Sequence, residues 1–358
     1  MSAARVGFIL LSNRHQSLPS TRISVLNMLP YLRDAGFAAE IAYEPAQPNH
    51  TPDLSGLDLR ALAARYDLVY FQKVHGSSVL QAVRTLEHAG VRTVFGLCDW
   101  VTPDMVEATS ATAVVTEHLR MLHPVPLRSK MHVVHDGIEQ PARRRPPASD
   151  NPGSRRRPLR AVLVTSSAPA ILPILARPPE WLRVRIVGAY PAPAWRGSRL
   201  RWVREQLAVR PAGERLATLS SILDRRIERV PWHPTGVYDQ LEQADIGVIP
   251  IDMEHAAAWQ QKSENRLTLK MAAGLPVITT PIPAYEAVVE HGRNAFFAHG
   301  RADWLQHLEA LRDPALRQAV GERARAAVLP RFSKEAQAQA LIATLQAALA
   351  RVPAEAAG

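Results

Sequence analysis

Residues 66–97, YDLVYFQKVHGSSVLQAVRTLEHAGVRTVFGL, decide the fold class. They read as strand, helix, strand: YDLVYFQ and VRTVFGL are short β-rich apolar runs, and SSVLQAVRTLEHAG between them is a helical pattern. DLVYF is apolar without alternation, as suits a strand of a parallel sheet covered on both faces. Gly90 closes the helix where a left-handed C′ residue is needed, and Gly36 does the same earlier in the chain.

Working outward, the alternation continues. RVGFILL, TRISVLNMLPYLRDAG, FAAEIAY and a polar loop precede this unit, and ATAVVT and MHVVH follow it. After Arg160 the pattern resumes through LRAVLVTS, LRVRIVGAY, RIERVPW, the helix-like HPTGVYDQLEQA, DIGVIPI, a helix through RLTLKMAAG, PVITT and several helices. Two successive doubly wound α/β domains are therefore expected. SKEAQAQALIATLQAAL, opening on a Ser333 cap, reads as a long terminal helix. The expected boundaries are a first domain over 1–140, a linker over 141–158, a second domain over 159–332 and the last helix over 333–350.

The 358 residues are 47% hydrophobic and 21% charged, which excludes disorder and leaves ample material for two cores. No apolar run approaches the roughly 20 residues of a membrane span. MSAARVGFILLSN fits a first strand better than a signal peptide, so a cytoplasmic location is expected. A single cysteine, Cys98, supports neither an intramolecular disulfide nor a cysteine-based metal site. The formal charge of +10 favours anionic partners: nucleic acid, phosphorylated small molecules or an acidic membrane face. Much of the excess lies in RRRPPASDNPGSRRRPLR, residues 143–160, read as a solvated connector. Aromatics are 6% of the chain and none interleaves with this run, so nucleic acid is the least favoured partner.

Ligands of open α/β sheets bind beyond the carboxyl ends of the strands. The residues there are Ser12, Asn13, Lys73, His75, Asp99, Trp100, His135 and Asp136 in the first half, and Thr165, Ser166, Ser167, Trp232, His233 and Asp252 in the second. Two such sheet ends are expected to enclose a cleft. The sharpest local signal is QQKSENRLTLKMAAGLPVIT, where a helix begins near Ser263 and ends at Gly274. Lys262 and Arg266 bring two cations to the positive end of its dipole, an arrangement that a bound phosphate or diphosphate relieves; the alternative is neutralisation at the surface by Glu264 and nearby carboxylates. A weaker parallel follows the first strand, with Ser20 as N-cap and Arg22 in the first turn, facing either an acceptor phosphate or solvent. The chain lacks G-x-G-x-x-G after a strand, G-x-x-x-x-G-K-[ST], G-x-S-x-G and H-E-x-x-H, which argues against a Rossmann dehydrogenase, a P-loop NTPase, an α/β-hydrolase and a zinc protease. No histidine spacing compels a metal site, although His75 or His135 can serve as a proton donor.

VPWHPTGVYDQLEQADIGVIPI (230–251), KSENRLTLKMAAGLPVITTPIPAYEAVVEHGRNAFF (262–297) and RFSKEAQAQALIATL (331–345) resemble segments of the retaining, glycogen-synthase-like GT-B glycosyltransferases that build bacterial surface polysaccharides. PSTRISVLNMLPYLRDAG, VYFQKVH, VFGLCDW and MHVVHDGIE look like weaker counterparts in the first half. The resemblance implies two Rossmann-like domains facing a cleft, with the terminal helix returning to the first. It implies transfer of a sugar from a nucleotide diphosphate sugar to a glycan, lipid-linked or small-molecule acceptor, with no metal or other cofactor. By the same resemblance Lys262 and Arg266 meet the diphosphate, Thr165, Ser166 and Ser167 lie near it, and Trp232 and His233 flank the base. Gln261 faces the donor sugar, Glu264 supplies a ribose contact, and Asp99 or His75 lies near the sugar, serving as base if the reaction inverts; apart from the resemblance, the positions of Asn265, Asp252 and Arg22 make them further candidate substrate contacts. The paired glutamates of the family fall on Gln261 and Leu269, and its Arg and Lys after the first strand of the second domain are replaced by the hydroxyls of LVTSSAPAILPILAR. A non-catalytic GT-B-shaped binding or scaffold protein is therefore the alternative. Positive charge adds peripheral contact with the inner membrane face as an expectation.

Overall fold

The computed structural model describes residues 3–172, 175–191, 196–251 and 257–351, in two compact units. The first comprises Met1–Glu139, Gln261–Glu264 and Arg331–Gly358, the second Gln140–Gln260 and Asn265–Pro330.

The first unit is built on strands β1 (Arg5–Ile9), β2 (Ala38–Tyr43), β3 (Leu68–Gln72), β4 (Arg92–Leu97), β5 (Ala111–Val114) and β6 (Met131–Val133), all parallel in the order β2-β1-β3-β4-β5-β6. All five residues of β3 are buried, which explains why that run is apolar without alternation. One face carries Ile9, Val69, Phe71 and Phe95 against Val79, Val83 and Leu86; the other carries Phe8, Leu10, Tyr70 and Val94 against Val25, Leu32, Leu341 and Leu345. The helices are α1 (Pro19–Thr21), running on into a wider turn through Leu26, α2 (Leu29–Asp34), α3 (Leu59–Arg65), α4 (Ser77–His88), α5 (Asp104–Ala108) and α6 (Glu117–Leu122). Gly36 and Gly90 take φ of +86° and +83° after α2 and α4, as their placement required. Two expectations are corrected here. The segment expected to be a plain polar loop contains α3, and Ser20 lies inside α1, whose N-cap position is Leu18. The Leu18 N–H is instead received by Ser12 Oγ at 3.0 Å.

The second unit carries β7 (Leu159–Val164), β8 (Leu182–Gly188), β9 (Ile227–Pro231), β10 (Ile246–Ile249), β11 (Val277–Thr279) and β12 (Phe296–Phe297), parallel in the order β12-β11-β10-β7-β8-β9. Read outward from β7, this is the 3-2-1-4-5-6 order of dinucleotide-binding sheets, and the chain reverses direction between β7 and β10. Its helices are α7 (Arg196–Ala208), α8 (Ala212–Leu223), α9 (Gly236–Glu242), α10 (Asn265–Ala272), α11 (Pro283–Glu286), α12 (Arg301–Ala310) and α13 (Pro314–Val328). The arginine-rich stretch forms no regular element, but it is not simply a solvated connector. Arg143 binds Glu242 and Asp239 of α9, Arg144 pairs with Glu322, and Arg145, almost wholly buried, donates through Nε to the Gly274 carbonyl at 2.6 Å. The last helix, α14 (Lys334–Ala350), belongs to the first unit, where Ser333 Oγ caps it by accepting from Ala336 N at 3.0 Å. No described helix is long and apolar enough to cross a membrane.

Candidate active site

In the second sheet the switch point lies between the ends of β7 and β10. Just past β7, Thr165 Oγ1 and Ser167 Oγ are 3.0 Å apart, and Gly188 at the end of β8 packs so closely on this loop that a Cβ there would overlap the Ser167 carbonyl. The Trp232 backbone N–H donates to the Gly188 carbonyl at 2.7 Å. Arg266, in the first turn of α10, reaches the same place: its Nη2 donates to Ser166 Oγ at 3.1 Å and its guanidinium lies 4.5 Å from the Trp259 ring centroid. Among the described residues no carboxylate pairs with Arg266, and burial pulls its guanidinium below the usual value. One turn on, Lys270 is fully buried with Nζ donating to the Arg266 carbonyl at 3.0 Å. Burial, with the Arg266 charge adding to it, pushes this ammonium down to about 7. The switch point is therefore a locus of positive potential edged by hydroxyls.

His233 does structural work in the described chain, its Nδ1 accepting from Thr235 Oγ1 at 3.0 Å at the start of α9. The Asn265 carbonyl accepts from Thr268 Oγ1 at 3.3 Å. Asp252 lies outside the described residues. Leu269 packs with Val162, Val164 and Leu275, so the position where the family carries its second glutamate is apolar here.

The predicted helix starts at Asn265, two residues later than Ser263, and the segment before it belongs to the first unit. There Asp99, at the end of β4, is held by two ammoniums: Lys73 Nζ at 2.5 Å from Oδ2, and Lys262 Nζ on Oδ1. Burial alone would raise this carboxyl, but the two lysines outweigh it and hold Asp99 at about 2. Lys73, immediately after β3, has φ of +59°, a conformation that non-glycine residues adopt at local cost. His75 follows, half-buried, its ring 6.2 Å from that of His50 and its backbone N–H donated to the His50 carbonyl at 2.8 Å.

Ser263 Oγ donates to Asp136 Oδ2 at 2.9 Å, and Glu264 Oε1 lies 2.6 Å from His135 Nδ1. His135 Nε2 lies 3.2 Å from Arg331 Nη2, and its Nδ1 lies 3.1 Å from the Val115 carbonyl. Glu264 is buried, so neutralisation of surface cations is not its role. Burial and then the Glu264 charge raise Asp136 to about 6, against the Ser263 hydrogen bond. Arg22 is engaged by Glu139 through Nε at 2.6 Å and Nη2 at 2.9 Å. Lys73 and Asp136 stood among the strand-end residues in the sequence without an assigned role; the signal available was their position after β3 and β6. No group of three or more metal-ligating carboxylate, imidazole or thiol side chains occurs among the described residues.

Residues 170–343, just under half of the chain, match the family model described as glycosyl transferase-like. No curated protein matches the chain by sequence. Among solved structures, HepE of Anabaena in complex with UDP and glucose is 14% identical and superposes with a TM-score of 0.64 over 95% of this chain and 99% of that one. A glycosyltransferase from Rickettsia africae is 12% identical, with a TM-score of 0.68 over 98% of this chain and 100% of that one. AviGT4, a glycosyltransferase involved in avilamycin A biosynthesis, is 13% identical, with a TM-score of 0.60 over 97% and 98%. The fold is that of the GT-B glycosyltransferases, in agreement with the two-domain architecture expected from the sequence.

Proposed function

We propose that this chain is a glycosyltransferase that moves a sugar from a nucleoside diphosphate sugar to a glycan, lipid-linked or small-molecule acceptor, with the diphosphate held on the second unit. The observation that carries this reading is Arg266, a cation with no described carboxylate partner that meets the Ser166 hydroxyl at the β7/β10 switch point. A diphosphate there receives the guanidinium fork, the hydroxyls of Thr165, Ser166 and Ser167 and the start of α10, donors fixed in place before charge develops on the departing phosphate. Lys270 behind Arg266 gains a favourable counter-charge when that anion arrives. HepE was solved with UDP-glucose, which supports a uridine donor as the first to be tried.

Retention of configuration belongs to the proposal. An Asp99 held at about 2 by two lysines is a poor proton acceptor, whereas a retaining reaction asks no protein base to activate the acceptor. In this reading Asp99, Lys73 and Lys262 hold substrate hydroxyls by charge and hydrogen bonding, with His75, Gln261 and Arg22 on the sugar and acceptor side, and Trp232, His233, Asn265 and Asp252 on the donor side. Metal-independent transfer, the hexosyl class and a cytoplasmic location with peripheral membrane contact complete the proposal, the last supported by the basic excess.

A thermal-shift screen across UDP-, GDP- and ADP-sugars tests the assignment. One donor class should stabilise the protein by about 2.7 kcal/mol at a hundredfold excess over Kd; no shift with any of them contradicts the reading. The second reading, a non-catalytic binding protein, is favoured by the apolar packing of Leu269. It predicts nucleotide binding without release of diphosphate from the sugar under any acceptor.

A further inference from the structure

The crossover from β8 to β9 contains a helical pair, α7 and α8, that packs Trp202, Val203 and Ile222 on the core and also turns large apolar side chains to water. In α8, Thr218 and Ser221 face inward, Ser221 Oγ donating to the Ala170 carbonyl at 3.2 Å, while Leu216 is 81% and Leu223 68% exposed. Leu200 on α7 and Val209 between the helices are 67% and 75% exposed. A globular helix places apolar residues inward and polar ones outward, so Leu216 and Leu223 turned to water on a helix that buries Thr218 and Ser221 mark a surface made for a second apolar phase.

The charge identifies that phase. Residues 196–223 hold six arginines against two glutamates, and Arg199, Arg201, Arg204 and Arg215 stand exposed among the leucines. A second copy of this chain would set the same cationic surface against itself. Nucleic acid has no use for the leucines, and the aromatic of the pair, Trp202, is buried against Tyr190. Anionic lipid satisfies both features, with acyl chains and interface for Leu200, Leu216 and Leu223 and headgroup phosphates for the arginines. Along α7 a shallow concavity is lined by Gly197, Leu200, Arg201, Arg204, Glu205 and Ala208 among the described residues, and it sets two guanidinium groups beside one leucine.

We infer that the α7–α8 pair is a membrane-docking surface that binds the face of a bilayer bearing anionic lipid. The inference does not rest on the donor site, and its test needs no nucleotide. Flotation of the full chain with phosphatidylcholine vesicles, with and without phosphatidylglycerol, reads it directly. The wild type should float with the anionic vesicles only and release as salt rises. Leu216→Ser with Leu223→Ser, and separately Arg201→Gln with Arg204→Gln, should each weaken partitioning at least about tenfold. All four side chains are exposed, so circular dichroism and melting temperature should stay unchanged. Absence of flotation with anionic vesicles overturns the inference, as does equal flotation of both double variants. A concentration-dependent dimer in sedimentation that the leucine variant abolishes also overturns it, because a second copy would then cover this surface.

Discussion

Arg266 and Asp136 bear charge under opposite constraints, and each gives a measurable consequence. Arg266 keeps its charge because a guanidinium does not deprotonate in proteins, so its partial burial beside Ser166 calls for an anion rather than a proton loss. Asp136 can shed its charge. With its carboxyl raised from 3.8 to about 6, the folded chain keeps a proton that the unfolded chain has released across that interval. Stability therefore falls as pH rises from about 4 to about 6, and the loss is complete above it. Asp136→Asn retains an acceptor for Ser263 and removes the titration. At pH 8 the variant should be more stable than the wild type by about 3 kcal/mol, read as a higher melting temperature, with the gap closing below pH 4. A gap independent of pH would show that Asp136 is not the group raised by burial. In the sequence, the cations at the helix start pointed to Arg266 and strand-end polarity to Asp136; the raised carboxyl of Asp136 was not legible, because it depends on burial and on Glu264 and Ser263 lying beside it.

At the scale of elements, the phosphate-facing loop after β7 is shaped by a neighbour with no side chain. Gly188 has no room for a Cβ, which would run into the Ser167 carbonyl. Gly188→Ala should displace the 165–167 loop, cost about 1–3 kcal/mol of stability and weaken nucleotide binding together. Unchanged affinity in a folded variant would separate that loop from the ligand. Strands were legible in the sequence wherever burial on both faces made them continuously apolar, as in β3 and β4. Elements with a different source of order were not. α3 holds one buried residue, Leu62, and so shows no apolar stripe. α7 is rich in arginine and, with α8, turns Leu200, Leu216 and Leu223 outward, which hides the amphipathic signal that a core-facing helix displays. Ser20 looked like a cap because serine commonly caps, yet Pro19 already occupies the first helical turn and Ser12 supplies the acceptor from across the loop.

For the molecule as a whole, sequence alternation specified two parallel sheets, and the second adopts the strand order that puts a ligand at the reversal between β7 and β10. What alternation does not encode is pairing between residues far apart in the chain. Asp99 and Lys262 are 163 positions apart, and their ion pair turns one of the two expected diphosphate cations into a partner of Asp99. The burden on Arg266 is correspondingly greater. The most direct test is calorimetric titration of wild type and Arg266→Ala with the preferred nucleoside diphosphate and with its parent nucleoside. The account predicts roughly 10- to 150-fold weaker diphosphate binding in the variant, the scale of about 1.5–3 kcal/mol for a hydrogen bond to a charged group, with nucleoside affinity unchanged. Equal diphosphate affinity in the two proteins would contradict it.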